Sequence, residues 1–144
     1  SNLLRQKILV AVDLLPLARK RAAKIILFLP DGELHELGLL FSHYLVKKAG
    51  FRGYYMGQSV PIEDVQWFCR NESPVAMITS MTTAPAPHSV ERYLQNLCSE
   101  NTGIAVFAAG RHLGKMALKI PQNLHILKDA RHLKTLLSGL KANN

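Results

Sequence analysis

The sequence predicts an α/β protein, an open doubly wound sheet of five parallel strands with helices on both faces. Three observations predict it. Short apolar runs alternate with amphipathic stretches along most of the chain. The strongest run, Ile25-Ile26-Leu27-Phe28-Leu29, is apolar at every position, as a strand buried on both faces requires. Composition is globular: of 144 residues, 48% are hydrophobic and 19% are charged. That suffices for one domain with a core and excludes wholesale disorder.

The elements follow in order. Leu3 to Leu15 is an apolar helix candidate, and a lone apolar helix needs a partner to pack on. Pro16 and the cluster Arg19-Lys20-Arg21 then make a polar connection. After the first strand, His35 to Lys48 has Leu37, Leu40, Phe41, Tyr44 and Leu45 at helical spacing, with Lys47 and Lys48 in the last turn and Gly50 as the stop. Phe51 to Met56 reads as the second strand, ended by Gly57. Pro61 opens a helix from Ile62 to Arg70, with Glu63 and Asp64 in its first turn. The third strand spans Val75 to Thr79. After the turn Ala84-Pro85-Ala86-Pro87, a helix runs from Ser89 to Ser99. Ile104 to Phe107 is the fourth strand, ending in the small residues Ala108-Ala109-Gly110. A short helix over Leu113 to Leu118 leads to the fifth strand, Leu124 to Leu127, and Asp129 caps a last helix through Leu140. The expected arrangement is flavodoxin-like, in strand order 2-1-3-4-5. Residues 1–23 form a preceding helix and linker, and residues 24–144 form the sheet domain. A ligand crevice is expected at the carboxyl ends of strands one, three and four, where the winding reverses.

Charge and cysteine usage narrow the classes further. Eighteen Lys and Arg against ten Asp and Glu leave a formal charge of +8, which favours anionic partners without naming one. It lacks the aromatic interleaving of a single-strand binder, and Arg19-Lys20-Arg21 reads as a solvated linker. Cys69 and Cys98 are 29 positions apart with no CxxC, so neither a zinc ribbon nor a disulfide framework is legible. The longest apolar run is far shorter than the roughly 20 residues that span a bilayer. Asp13 interrupts the one stretch resembling a signal peptide. A cytoplasmic protein is the expectation.

The segment Pro30-Asp31-Gly32-Glu33-Leu34-His35-Glu36-Leu37-Gly38 falls where such a sheet binds ligands. It is neither GxGxxG nor GxxxxGK[ST], so it is no phosphate loop. It offers a histidine at a helix start, a carboxylate two residues before, and a glycine three residues after. A carboxylate on one imidazole nitrogen fixes the tautomer and makes the other nitrogen a better metal donor. On spacing alone, a lone loop histidine is more often a surface residue or helix cap than a ligand. His43, His88, His112, His125 and His132 read as structural or solvated, Trp67 and Phe68 as partly buried core, and the two cysteines as buried and inert. No GxSxG elbow makes Ser80 a nucleophile. A receiver domain would need an aspartate at the end of the third strand, and Ile78-Thr79-Ser80 holds none.

Glu33-x-His35-x-x-Gly38 resembles the DxHxxG motif of cobalamin-binding domains, in the Glu form found in cobalamin-linked MerR-type transcription regulators. Ser80-Met81-Thr82 matches the family's SxL element in its serine, with Thr82 in the leucine position. Ala109-Gly110 matches the GG element in its second glycine, and Gly57 lies where the family has a glycine. The similarity covers residues 24 to 140. It implies that cobalamin binds base-off, with His35 as the lower axial cobalt ligand and Glu33 orienting it. It implies that Ser80 bonds the buried nucleotide base and that Gly38 with Ala109-Gly110 leaves room for the tail. Thr82 would make the slot wall more polar and the Ala109 methyl would narrow it. The resemblance further implies a sensory domain without catalysis of its own, holding adenosylcobalamin or methylcobalamin. Residues 3 to 15 would end a helical cap over the upper corrin face, DNA would be contacted through a domain absent from this chain, and homo-oligomers are possible. A fragment lacking the full cap would bind cobalamin less well. The alternatives are the cobalamin-binding component of a methyltransferase or mutase, and a degenerate domain acting only through protein contacts.

Overall fold

The computed structural model describes residues 2–82, 87–115 and 119–142. Five strands are present: β1 (Lys24–Pro30), β2 (Arg52–Val60), β3 (Ala76–Ser80), β4 (Ala105–Ala109) and β5 (Leu124–Ile126). All pair in parallel, in the order β2-β1-β3-β4-β5. This is the expected order, with β1 and β3 at the centre. The helices are α1 (Asn2–Leu14), α2 (Leu37–Lys48), α3 (Ile62–Glu72), α4 (Pro87–Glu100) and α5 (Ala130–Ala142). A single 3-10 turn covers Leu113–Lys115, and the rest of the short helix expected there, 116–118, lies outside the described residues. So do residues 83–86 of the proline-rich turn.

Strand alternation divides the core into two layers. Ile26 and Phe28 of β1, Met77 of β3 and Val106 of β4 face α3 and α4, where they meet Val65, Phe68, Leu94 and Leu97. Ile25, Leu27 and Leu29, with Ile78 and Phe107, face α2 and α5, where they meet Leu39, Val46, Leu133 and Leu137. Every residue from Ile25 to Leu29 is fully buried, which is why that run carries no polar residue. Cys69 and Cys98 are buried in the first layer, and desolvation pushes both thiols up to about 11. Trp67, by contrast, is 59% exposed rather than part of the core.

Two boundaries differ from the sequence expectation. The second strand does not stop at Gly57 but continues to Val60. Gly57 takes φ +86 and marks an irregularity in register, where Phe28 pairs with Gly57 after Leu27 has paired with Tyr55. A glycine inside a strand here makes a bulge rather than an end. The first long helix begins at Leu37, not His35, because residues 31–36 form a loop bonded to the prolonged β2.

The N-terminal helix lies against α2. Val12 is buried, Lys47 Nζ donates to the Val12 carbonyl at 2.9 Å, and Arg5 pairs with Glu36 at 2.9 Å. Glu36 also accepts from the Tyr55 hydroxyl at 2.8 Å, which ties α1, the start of α2 and β2 together. His43 stacks on Tyr55 with ring centroids 5.2 Å apart and closes over Gly53, where a Cβ would come within 2.8 Å of the imidazole.

Burial, helped by the Lys47 charge, lowers the His43 pKa from its ordinary 6.5. The stability gained from neutral His43 is complete above that value and is lost as pH falls through the folded-state pKa, because the unfolded chain takes the proton first. Urea midpoints should therefore begin to fall as the pH drops through the ordinary 6.5. His43→Phe, which keeps a ring on Tyr55, should flatten that drop.

Candidate functional site

The loop after β1 is shaped by backbone bonds before any ligand chemistry enters. Glu33 N donates to the Pro30 carbonyl at 2.9 Å, and Gly32 turns the chain at φ +83. The prolonged end of β2 then clamps it. Ser59 N donates to the Glu33 carbonyl at 3.1 Å, and Gln58 Nε2 donates to the Leu34 carbonyl at 2.8 Å. The Ser59 hydroxyl accepts from Gly32 N at 3.0 Å and donates to Asp31 Oδ1 at 3.1 Å.

This clamp turns the Glu33 side chain inward, where it is 5% exposed. Its carboxylate accepts from the Thr82 hydroxyl at 2.7 Å and from Thr82 N at 3.2 Å. The same carboxylate lies 3.3 Å from His35 Nδ1 and 3.4 Å from His35 N. Thr82 therefore holds Glu33, and Glu33 holds the imidazole. The shorter bonds are those from Thr82, so the carboxylate is anchored to the end of β3 and offered to His35. The His35 side chain is 70% exposed, and Nε2 has no partner among the described residues. Thr82, expected to wall a slot, instead spends its hydroxyl on Glu33.

The other expected residues divide into two groups. Ser80 and Ala109 are ladder partners at the carboxyl edge, and alternation puts both on the α2 and α5 face of the sheet. Ser80 is buried, at 8% exposure. Gly38, in the first turn of α2, is exposed, and a Cβ added there would meet nothing within 4 Å. Glu33, His35, Thr82, Ser80, Ala109 and Gly38 therefore share one edge of the sheet. Gly57 and Gly110 are explained by the backbone itself. Gly57 makes the bulge, and at Gly110 a Cβ would lie 2.5 Å from the Met81 carbonyl oxygen. Met81 N donates to the Ala109 carbonyl at 2.8 Å, so the two strand ends stay zipped beyond their last residues.

Three solved structures share this architecture. A cobalamin-binding protein from Desulfitobacterium hafniense matches with TM-score 0.65 and 18% identity, over 83% of this chain and 60% of that one. The methanol:cobalamin methyltransferase complex MtaBC from Methanosarcina barkeri matches with TM-score 0.68 and 15% identity, over 84% of this chain and 47% of that one. The monomethylamine corrinoid protein of Methanosarcina barkeri matches with TM-score 0.73 and 15% identity, over 96% of this chain and 66% of that one. The chain shares the five-stranded parallel α/β fold of these proteins. It spans about half to two thirds of the length of these proteins. Coverage of 96% in the corrinoid protein leaves too few residues out to exclude α1 from the match. No family model and no curated protein matches the sequence.

Sequence reasoning missed Gln58 and Ser59, whose signal was a polar pair just before Val60 and past a glycine that reads as a stop. It also missed the role of Thr82, because a contact across 49 positions leaves no local trace.

The two site glycines should respond in opposite ways. Gly110→Ala forces a methyl against backbone and should cost about 1–3 kcal/mol of unfolding free energy. Gly38→Ala meets no obstacle and should raise stability by about 0.5 kcal/mol, since glycine is a poor helix former. Urea titration of both variants measures the contrast.

Proposed function

We propose that this chain is a cobalamin-binding module that holds cobalamin base-off, with His35 as the lower axial ligand of cobalt. The observation that carries the reading is the bonded series Thr82–Glu33–His35, which occupies one imidazole nitrogen and leaves the other at the open edge of the sheet. Metal-binding imidazoles are held this way, by a carboxylate on the nitrogen away from the metal. A single imidazole donor fits a corrinoid, whose ring would supply the other nitrogen ligands to cobalt. Gly38 adds a second point of fit: it costs helix stability, and no packing contact in this structure requires it.

Within that reading each residue has a task. Glu33 keeps the proton on His35 Nδ1, so that Nε2 presents its lone pair. Thr82 keeps Glu33 from swinging into solvent. Ser80 bonds the nucleotide base on the α2 and α5 face, while Gly38 and Ala109 border the passage for the tail. Gly57 and Gly110 set the backbone around it. Bound cobalamin supplies a cobalt centre able to carry an adenosyl or methyl group.

The finer reading is a cytoplasmic sensory domain of a MerR-type regulator, non-catalytic, with α1 as the end of a cap. It rests on glutamate in place of aspartate at position 33. DNA would be contacted through a domain outside this chain, and homo-oligomers would transmit the signal. The competing reading, a corrinoid carrier serving a methyltransferase, is favoured by the two Methanosarcina structures, one named as a corrinoid protein and the other as a methyltransferase complex.

Histidine-on binding is tested by electron paramagnetic resonance of cob(II)alamin mixed with the chain. Axial nitrogen splitting should change when the protein's histidines carry nitrogen-15, and His35→Ala should abolish that response. A response that persists in His35→Ala refutes the assignment. Glu33→Gln should weaken cobalamin binding by about 10- to 100-fold. Gly38→Ala should impair uptake while leaving the fold more stable. A chain that takes up no corrinoid at all leaves the degenerate interaction domain standing. If illumination changes the oligomeric state of the adenosylcobalamin complex, the sensor reading gains over the carrier.

A further inference from the structure

The edge of the sheet opposite His35 holds a concavity. Residues 15–23 pass from the end of α1 to the start of β1 and bound a hollow of about 630 Å³ with the carboxyl ends of α2 and α5. One wall is apolar, made by Leu15, Pro16 and Leu17. Around it stand five cations, Arg19, Arg21, Lys47, Lys48 and Lys141, and no carboxylate lines it. The nearest acid by sequence, Asp13, borders the adjoining cleft rather than this one.

None of the five belongs to an ion pair among the described residues, where the pairs are Arg5–Glu36, Lys24–Glu72 and His35–Glu33. Their partial compensation is the helix ends. Lys47 Nζ donates to the Val12 carbonyl at 2.9 Å, and Lys141 Nζ donates to the Ala49 carbonyl at 2.6 Å. Each helix terminus contributes about half a negative charge, so three of them offset about 1.5 of the five positive charges. A net charge of about +3.5 therefore remains around one hollow. The two carbonyl bonds also pin two lysines in place, so less side-chain entropy is lost when an anion arrives.

We propose that this hollow binds a compact anion carrying two or more phosphoryl groups, of the nucleoside di- or triphosphate class. Its size falls within the range of small-ligand sites. Arginine forks and lysine point charges are the side chains that match phosphoryl oxygens, and a single carboxylate would leave most of the charge uncompensated. The apolar wall suits the organic body of such a molecule. A nucleic-acid duplex fits less well, since the cations ring a concavity instead of tracking a backbone. The site lies at the far edge of the sheet, so it stands independently of cobalamin binding.

Titration of the full chain with ATP, inorganic pyrophosphate and adenosine, followed by amide chemical shifts, tests the proposal. At near-physiological salt, ATP and pyrophosphate should shift Ala22, Ala23, Lys48 and Gly50, and adenosine should not. The exposed double variant Arg19→Glu/Lys48→Glu should weaken both by about tenfold or more, with cobalamin uptake unchanged. Three results would overturn it: shifts spread evenly over remote lysines such as Lys7 and Lys134, equal affinity in the double variant, or a short DNA duplex that binds the same residues more tightly than ATP.

Discussion

The buried carboxylate of Glu33 is the constraint on which the site depends. An ionised carboxylate taken out of water costs several kcal/mol unless its oxygens are bonded. Here the backbone amide and hydroxyl of Thr82 and the ring and amide of His35 converge on it. Its own main chain is fixed on both sides, by the Pro30 carbonyl and by Ser59 N. One side chain thus joins the loop after β1, the prolonged end of β2 and the segment after β3. The imidazole is held by that junction rather than by packing of its own, as its exposure shows.

The sheet supplies the frame for that junction at little cost in polar groups. Its central strands are sealed on both sides by four helices, so the loops at the carboxyl edge start from fixed positions. The irregular register between β1 and β2 puts extra residues into the edge strand before Val60 pairs with Pro30, and Gln58 and Ser59 of that stretch bond the next loop. Rigid strands and a locally bent one therefore divide the work: the former set where the loop begins, the latter sets how it lies.

Strand order and both core layers were legible because burial demands apolar runs, and Ile25–Leu29 or Ala76–Ser80 cannot be mistaken for surface. The motif residues on the first loop were legible because a histidine, a carboxylate and a glycine at that spacing are chemically conspicuous. What stayed hidden was non-local or depended on one dihedral. Gly57 in a strand reads as a stop unless its positive φ is known, and with it went Gln58 and Ser59. The start of α2 was placed two residues early because apolar periodicity does not register the hydrogen bonds that hold 31–36 as a loop. Thr82 has no local reason to be anything but a substituted leucine, and only the fold brings it against Glu33.

The bond from Met81 N to the Ala109 carbonyl, with Gly110 fitted against Met81, gives this edge an unyielding lip. Parting β3 from β4 at this point would break that bond, so the two chain segments leave the sheet at a fixed separation.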